Sequence, residues 1–312
     1  MRELLPKKEK VVALVGPTAS GKTALALKLA EAMPAEVIAC DSRTVYRYMN
    51  IGTAKPTEEE CARAKHHMLD LLNPDGKYTV AEYRHEAAMV VDGVIRRIHL
   101  PIVCGGTGFY ARALLEGLEI PEVAPQKELR QELHELAENK GNDALWKKLQ
   151  EVDPQTAEKL NANDRFRVVR ALEVFKVLGK PFSEAASRVD PPYDTIWIGL
   201  NANSRDNLYK RIADRFAEQV NMGMVEEVEF LYKKWGDTRA LTNTVNYQEI
   251  MLYLKGELTR EEALEKALRH NCQLARKQLI WFRANQAIKW FSIDEEANHL
   301  ADKVISHVKS RL

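Results

Sequence analysis

Gly16-Pro-Thr-Ala-Ser-Gly21-Lys22-Thr23 spells G-x-x-x-x-G-K-T, a spacing that holds phosphate. Its glycines allow backbone angles that side chains block, so successive N–H groups turn inward as a nest for an anion. Lys22 adds a full positive charge, and the Thr23 hydroxyl is a hard oxygen ligand suited to Mg²⁺. Gly16, Pro17, Thr18, Ala19, Ser20, Gly21, Lys22 and Thr23 are thus the expected diphosphate- or polyphosphate-binding residues. Thr23 is the expected metal contact and Mg²⁺ the expected cofactor. The loop alone does not say whose phosphates it holds.

Two further groups could act beside it. Asp41 ends the apolar run Glu36-Val-Ile-Ala-Cys40. Ligands of an open parallel sheet sit beyond the carboxyl ends of its strands, which puts Asp41 on the rim of the phosphate loop. Its plainer alternative is a cap or turn carboxylate. Gly105-Gly106-Thr107-Gly108 follows the run Leu100–Cys104 and makes a second strand–glycine-loop–helix unit, or simply a tight turn that needs small residues. The strand before it ends in Cys104, not an acid. Asp41 is therefore the only strand-end acid on the rim, suited to metal binding or to proton abstraction. His66-His67 lacks the i,i+4 spacing of a shared helix-face metal site and reads as a packing or hydrogen-bonding pair.

The elements that must position these loops follow from the apolar pattern. Val11–Val15, Glu36–Cys40, Leu100–Cys104 and Thr195–Leu200 read as buried strands; Ala24–Ala32, Tyr78–Arg97 and a segment from Ala111 read as helices. The texture changes near Glu119, and 126–188 is helical with no convincing strand. There Asp164 is placed to cap a helix with Phe166, Val169, Leu172 and Phe175 as its apolar stripe. Arg167 and Arg170 share one face, and Arg165 and Arg188 add charge; a solvated face is the plain alternative. Later, 205–235 reads as a helical region broken near Gly223, with Arg205, Arg211 and Arg215 near its start, and 242–249 as a polar turn. Thr259-Arg-Glu-Glu262 is a capping box opening a helix with Leu264, Leu268, Ala275, Leu279 and Phe282 as core. Arg269, Arg276 and Arg283 form a cationic edge, either solvated or in contact with an RNA backbone or a diphosphate. The predicted fold class is α/β: a parallel sheet of the P-loop NTPase type flanked by helices, with an all-helical insertion. Its parts are 1–118 (first part of the core), 119–192 (insertion) and 193–312 (one strand plus C-terminal helices).

Among the 312 residues, 46 Lys and Arg stand against 45 Asp and Glu, a net charge of +1. Any contact with nucleic acid must then come from local patches. Cys40, Cys61, Cys104 and Cys272 are scattered without a C-x-x-C, which suits a reducing cytoplasm and offers no disulfide framework. The first ten residues lack the apolar core of a signal peptide, and no run reaches membrane-span length. A cytoplasmic protein is expected, with no membrane partner and no obligate protein partner.

Gly16–Thr23, Asp41-Ser42, Ile51-Gly-Thr-Ala-Lys-Pro56, Gly105-Gly-Thr-Gly-Phe-Tyr110, Arg167-x-x-Arg-Ala-Leu-Glu-Val174, Leu208-Tyr-x-Arg211-Ile212 and Gln273-Leu-Ala-Arg-Lys-Gln278 occur in that order. With these blocks the sequence resembles the tRNA dimethylallyltransferases, which prenylate the adenine just 3′ of the anticodon. The resemblance implies that the loop holds dimethylallyl diphosphate, with Arg211 also reaching the diphosphate. Lys22, Asp41 and Thr107 would be catalytic: Lys22 on the leaving group, Asp41 as base toward the adenine amine, Thr107 hydrogen-bonding near it. The partner would be tRNA, through its anticodon stem-loop. It would be contacted by Asp41, Ser42, Arg43, Thr44, Thr107, Arg130, Phe166, Arg167, Val168, Val169 and Arg170. Three blocks depart from the family pattern. Asp41-Ser42-Arg43-Thr44 stands for Asp-Ser-Met-Gln, Asn243–Tyr247 for Arg-Ala-Val-Gly-Tyr, and Asn271-Cys272 for Thr-Arg. The competing expectations are a small-molecule kinase using ATP and a nucleotide-dependent RNA-binding module without chemistry.

Overall fold

The computed structural model describes residues 8–186 and 189–312. Among them six strands form one sheet: β1 Lys10–Val15, β2 Ala35–Ala39, β3 His66–His67, β4 Leu100–Gly105, β5 Asp194–Asn201 and β6 Lys289–Ser292. All neighbours pair in parallel, in the order β3-β2-β4-β1-β5-β6. Strands covered on both faces read as unbroken apolar runs. β1, whose residues Val11 to Val15 are fully buried, is such a strand. Its register sets the rim. Val15 lies opposite Gly105 of β4 and Gly199 of β5, and Ala39 of β2 lies opposite Cys104. The chain therefore leaves β1, β2 and β4 at one carboxyl edge, at Gly16, Cys40 and Gly106.

β2 buries one charge, Glu36. Arg97 donates to it at 2.9 and 2.7 Å, and His67 Nε2 and His99 Nδ1 lie at 2.6 and 3.0 Å. The Arg97 guanidinium above all holds this carboxyl at about 2, against the cost of burial. His67 thus tightens the β2–β3 edge. Where one strand was expected after the insertion, there are two. Lys289-Trp290-Phe291-Ser292 is too short and mixed to announce itself, and it becomes a strand by pairing with β5.

The helix Lys22–Ala32 follows the first loop and buries Leu25, Leu27 and Leu29 against the sheet. The helical region after β5 breaks into Arg205–Asn221 and Met224–Trp235 at Gly223, whose φ is +96°. Thr259 and Glu262 close the capping box that starts the long helix Arg260–Arg283.

Leu115–Pro191 is a compact unit of its own, where 119–192 was expected. It is all helical among the described residues, with Leu133, Leu145, Leu149, Val168, Val169 and Leu172 in its core. Arg188 lies outside the described residues. Within this unit the Glu173 carboxylate is completely buried. It accepts two hydrogen bonds from Arg130 (2.7 and 2.8 Å), one from Arg170 (2.6 Å) and one from the Gln126 amide (2.8 Å). Arg170 also donates to the carbonyls of Pro121 and Val123, so the linker is clamped to the helix Arg165–Leu178.

Candidate active site

The phosphate loop has its working shape without a ligand. Gly16 has φ +153°, and a Cβ there would lie 2.5 Å from the Leu200 carbonyl oxygen of β5, so no other residue fits. Gly21 is the N-cap of the helix Lys22–Ala32 and offers no side-chain cap, which leaves the first-turn N–H groups for an anion. Lys22 Nζ is turned back onto its own loop, donating to the Pro17 carbonyl at 2.6 Å and lying 3.4 Å from Ser20 Oγ. Burial lowers its pKa to about 8, with Arg215 pushing the same way and Cys104 and Asp41 opposing. From the helix Arg205–Asn221, Arg211 Nε donates to the Ala19 carbonyl at 3.2 Å.

Thr107 is stitched to Cys40 and Ser42, the neighbours of Asp41, at the adjoining strand ends. Gly105 crosses so close to Cys40 that a Cβ would stand 2.0 Å from the Cys40 carbonyl oxygen. The Thr107 amide donates to that carbonyl at 3.1 Å, and Thr107 Oγ1 accepts from the Ser42 amide at 3.0 Å. The Arg43 amide donates to Asp41 Oδ1 at 2.8 Å. This last bond fixes the carboxylate and leaves Oδ2 as its second acceptor. The loops border one cavity of about 1200 Å³, lined among others by Lys22, Thr23, Asp41, Thr44, Thr107 and Arg211. Thr18 to Thr23 reach this lining, whereas Gly16 and Pro17 shape the turn behind it. Thr44 brings a buried hydroxyl with no hydrogen-bond partner to the same wall.

Two residues of this site escaped the sequence argument. Gln278 joins both glycine loops: its Oε1 accepts from the Thr18 amide at 2.8 Å and its Nε2 donates to the Gly106 carbonyl at 3.1 Å. Arg215 lines the cavity one turn beyond Arg211, and burial lowers its pKa while Asp41 and Glu218 oppose. It had drawn notice only as one basic residue among three. Cys104 also lines the wall, its thiol pushed up to about 12 by burial and so neutral. Among the described residues no three His, Cys, Asp or Glu side chains gather as a metal site. The Thr23 hydroxyl with the nearby Asp41 fits a hard divalent ion that takes its other oxygens from a bound diphosphate and water.

The Ile51–Pro56 block shapes the wall rather than reacting. Glu227 Oε2 accepts from the amides of Asn50 (2.9 Å) and Ile51 (2.8 Å), and Oε1 from Gly52 (3.1 Å) and the Tyr247 hydroxyl (2.6 Å). Lys55 Nζ is tied to Asp70, Asn50 and the Tyr46 carbonyl. The stretch taken as a polar turn, 242–249, is largely buried, with Thr244, Asn246 and Glu249 inside. Asn246 sits at φ +79°, its Nδ2 donating to the Gly52 carbonyl at 2.8 Å and its Oδ1 accepting from Asn271 Nδ2 at 2.6 Å. Two of the departures from the family pattern thus touch one another.

The expected RNA contacts divide. Phe166 is 64% exposed, and Arg167 is exposed with only Asp164 at 3.3 Å. Val168 and Val169 are buried in the helical core, so their side chains present nothing at the surface; of the expected apolar stripe Val169 and Leu172 join that core, Phe175 is half-buried and Phe166 is exposed. Arg130 and Arg170 are spent on Glu173. On the helix Arg260–Arg283 the exposed arginines 269, 276 and 283 lie on the far side from the residues that line the cavity, Asn271, Leu274, Lys277, Gln278 and Trp281. A diphosphate in the cavity is out of their reach. No helix among the described residues is long and apolar enough to cross a membrane.

Comparison with known proteins fits this geometry. A family model described as IPP transferase matches residues 44–285. A tRNA dimethylallyltransferase of Geobacter sulfurreducens is 43% identical over 91% of this chain and 92% of its own. The crystal structure of a full-length tRNA isopentenylpyrophosphate transferase from Bacillus halodurans is similar with a TM-score of 0.74 and 34% identity, covering 97% of this chain and 96% of that one. A eukaryotic dimethylallyltransferase solved acting on tRNA shares the fold with a TM-score of 0.81 at 24% identity, covering 97% of this chain and 80% of that one.

Proposed function

The chain belongs to the IPP transferase family of tRNA dimethylallyltransferases, and from that premise we propose that it transfers the dimethylallyl group of dimethylallyl diphosphate to the exocyclic amine of the adenine 3′ to the anticodon. The N–C bond forms, the C–O bond to diphosphate breaks, and diphosphate leaves with the electron pair. The amine proton passes to Asp41 Oδ2. The observation that carries this reading is that the residues on either side of Asp41, Cys40 and Ser42, are bonded to Thr107 on the rim of the phosphate loop, within one cavity.

The first-turn amides and Gly21 receive the diphosphate. Lys22 exchanges the Pro17 carbonyl for a phosphate oxygen, and Arg211 and Arg215 add charge from the facing helix; such preorganised donors stabilise the departing anion. Thr23 is the residue that would hold Mg²⁺, whose charge when bound offsets that of the diphosphate. The adenine leaves its stack to reach Asp41. Phe166 and Arg167 offer an aromatic face and a cation to the anticodon stem-loop. Tied cysteines play no part: all four are free thiols, which supports a cytoplasmic setting.

The test is transfer of label from radiolabelled dimethylallyl diphosphate to unmodified tRNA with ATP hydrolysis followed in parallel. Label enters tRNA without ATP loss, and Asp41→Asn lowers kcat by roughly 10²–10⁴-fold while tRNA still binds. ATP consumption without labelled tRNA would overturn the assignment.

A further inference from the structure

Two aromatic side chains at the mouth of the cavity have no role in the chemistry above. Phe109 and Trp281 both line it, yet stay 39% and 36% exposed. Two large aromatic rings left more than a third exposed side by side make an apolar patch that a flat partner can cover. Their rings stand 6.2 Å apart at 48°, and the Arg112 guanidinium lies 5.5 Å from the Trp281 ring centre.

The ledge is held rigidly. Phe109 follows Thr107 and Gly108 directly, so it opens the helix Gly108–Leu115 beside the proposed acceptor. A Cβ at Gly108 would lie 3.1 Å from Trp281 Cβ, so the helix Arg260–Arg283 packs backbone-close there. One turn back from Trp281, Gln278 pins that helix to both glycine loops. Lys277, exposed and four residues from Trp281, lines the same cavity and makes no ion pair among the described residues.

We infer that Phe109 and Trp281 form a stacking ledge for the nucleobase next to the target adenine, with Lys277 taking a phosphate of the same strand. This rests on the proposed tRNA substrate and extends it. Any base has a π-face, and stacking one on an aromatic side chain contributes affinity without reading its edges. A cation beside the rings answers the charge that every nucleotide carries. An adenine that flips out leaves its neighbour with one face uncovered; the ledge stands where that neighbour arrives.

The experiment uses the full chain and a synthetic anticodon stem-loop with 2-aminopurine in place of the nucleotide on one side of the target adenine, then on the other. On the ledge the probe is quenched in one of the two positions. Phe109→Ala with Trp281→Leu restores its emission and raises KM for the stem-loop about tenfold, in line with the loss of one stacked base. Trp281→Phe, which keeps a ring, retains most of the quenching. Arg283→Ala, on the far side of the same helix, leaves quenching and KM unchanged. Quenching that survives the double variant, or its absence at both positions while transfer proceeds, overturns the ledge. Absence of transfer by the unaltered chain would instead overturn the function on which it rests.

Discussion

Lys22 loses its proton near pH 8 in the unliganded chain, because its ammonium is enclosed by the loop and cavity wall. Burial penalises the charged form, so deprotonation comes earlier than the usual value of about 10.4. Only the charged form answers a diphosphate. At pH 7 about nine-tenths of the chains carry the charge, and at pH 9 about one-tenth. Affinity for inorganic diphosphate should thus be nearly flat below pH 7 and fall about tenfold per unit above 8. The sign follows from linkage. The bound anion raises the Lys22 pKa, so binding above pH 8 takes up a proton, and high pH opposes it. Calorimetric titration with diphosphate from pH 6.5 to 10, in two buffers of different ionisation enthalpy, reads both affinity and proton uptake. Inorganic diphosphate itself loses protons at both ends of this range, so Lys22→Arg, charged throughout, is the reference. The inflection near 8 and the part of the proton uptake that belongs to Lys22 should vanish in that variant. An unbroken affinity to pH 10 in the unaltered chain, or an inflection that persists in Lys22→Arg, would refute the argument.

Other expectations follow from the same geometry. Gly16→Ala forces a Cβ against the Leu200 carbonyl and a backbone angle that alanine avoids, so diphosphate binding should disappear in calorimetry while the far-ultraviolet circular dichroism stays helical. Glu173→Ala takes the carboxylate from the half-buried Arg130 and leaves Arg170 with the Pro121 and Val123 carbonyls, and should destabilise the helical unit by roughly 3 kcal/mol, read by hydrogen exchange. Burial pushes Glu173 up, but hydrogen bonds from Arg130, Gln126 and Arg170 prevail and hold it at about 2. Its contribution is therefore complete above the ordinary carboxylate range and is lost as pH falls toward 2; protection that does not change over that span would count against the clamp.

The rim of strand ends was legible because each part of it is local. A strand, a glycine turn and a helix announce themselves within about a dozen residues, and parallel pairing brings the strand ends together. What stayed hidden joins residues far apart in the chain. Arg170 and Glu173 are visible three residues apart, but Arg130 completes the clamp from another helix. Two cations that looked outward were thereby turned inward. Gln278 reads as one more polar residue on a helix until Thr18 and Gly106 are found at its two ends. The 242–249 stretch is polar in composition and buried in fact, since Glu249, Asn246 and Asn271 satisfy one another and the Ile51–Pro56 block. β6 was missed for a related reason: a four-residue edge strand has its partner, not its sequence, to thank for its conformation.

The contact between Asn246 and Asn271 has a consequence for how this cavity wall can change over generations. A left-handed backbone at position 246 favours glycine, and asparagine tolerates it. Here the asparagine side chain has become an acceptor on which Asn271 depends. Replacing Asn246 with glycine alone would take one of two acceptors from the buried Asn271 amide and the side-chain donor from the Gly52 carbonyl, and replacing Asn271 alone would take a donor from the buried Asn246 oxygen. Either step passes through a less stable intermediate, and the second recovers the part of the loss that lies between the two side chains. A homologue's residues grafted here one at a time will register as damage that the second graft partly repairs.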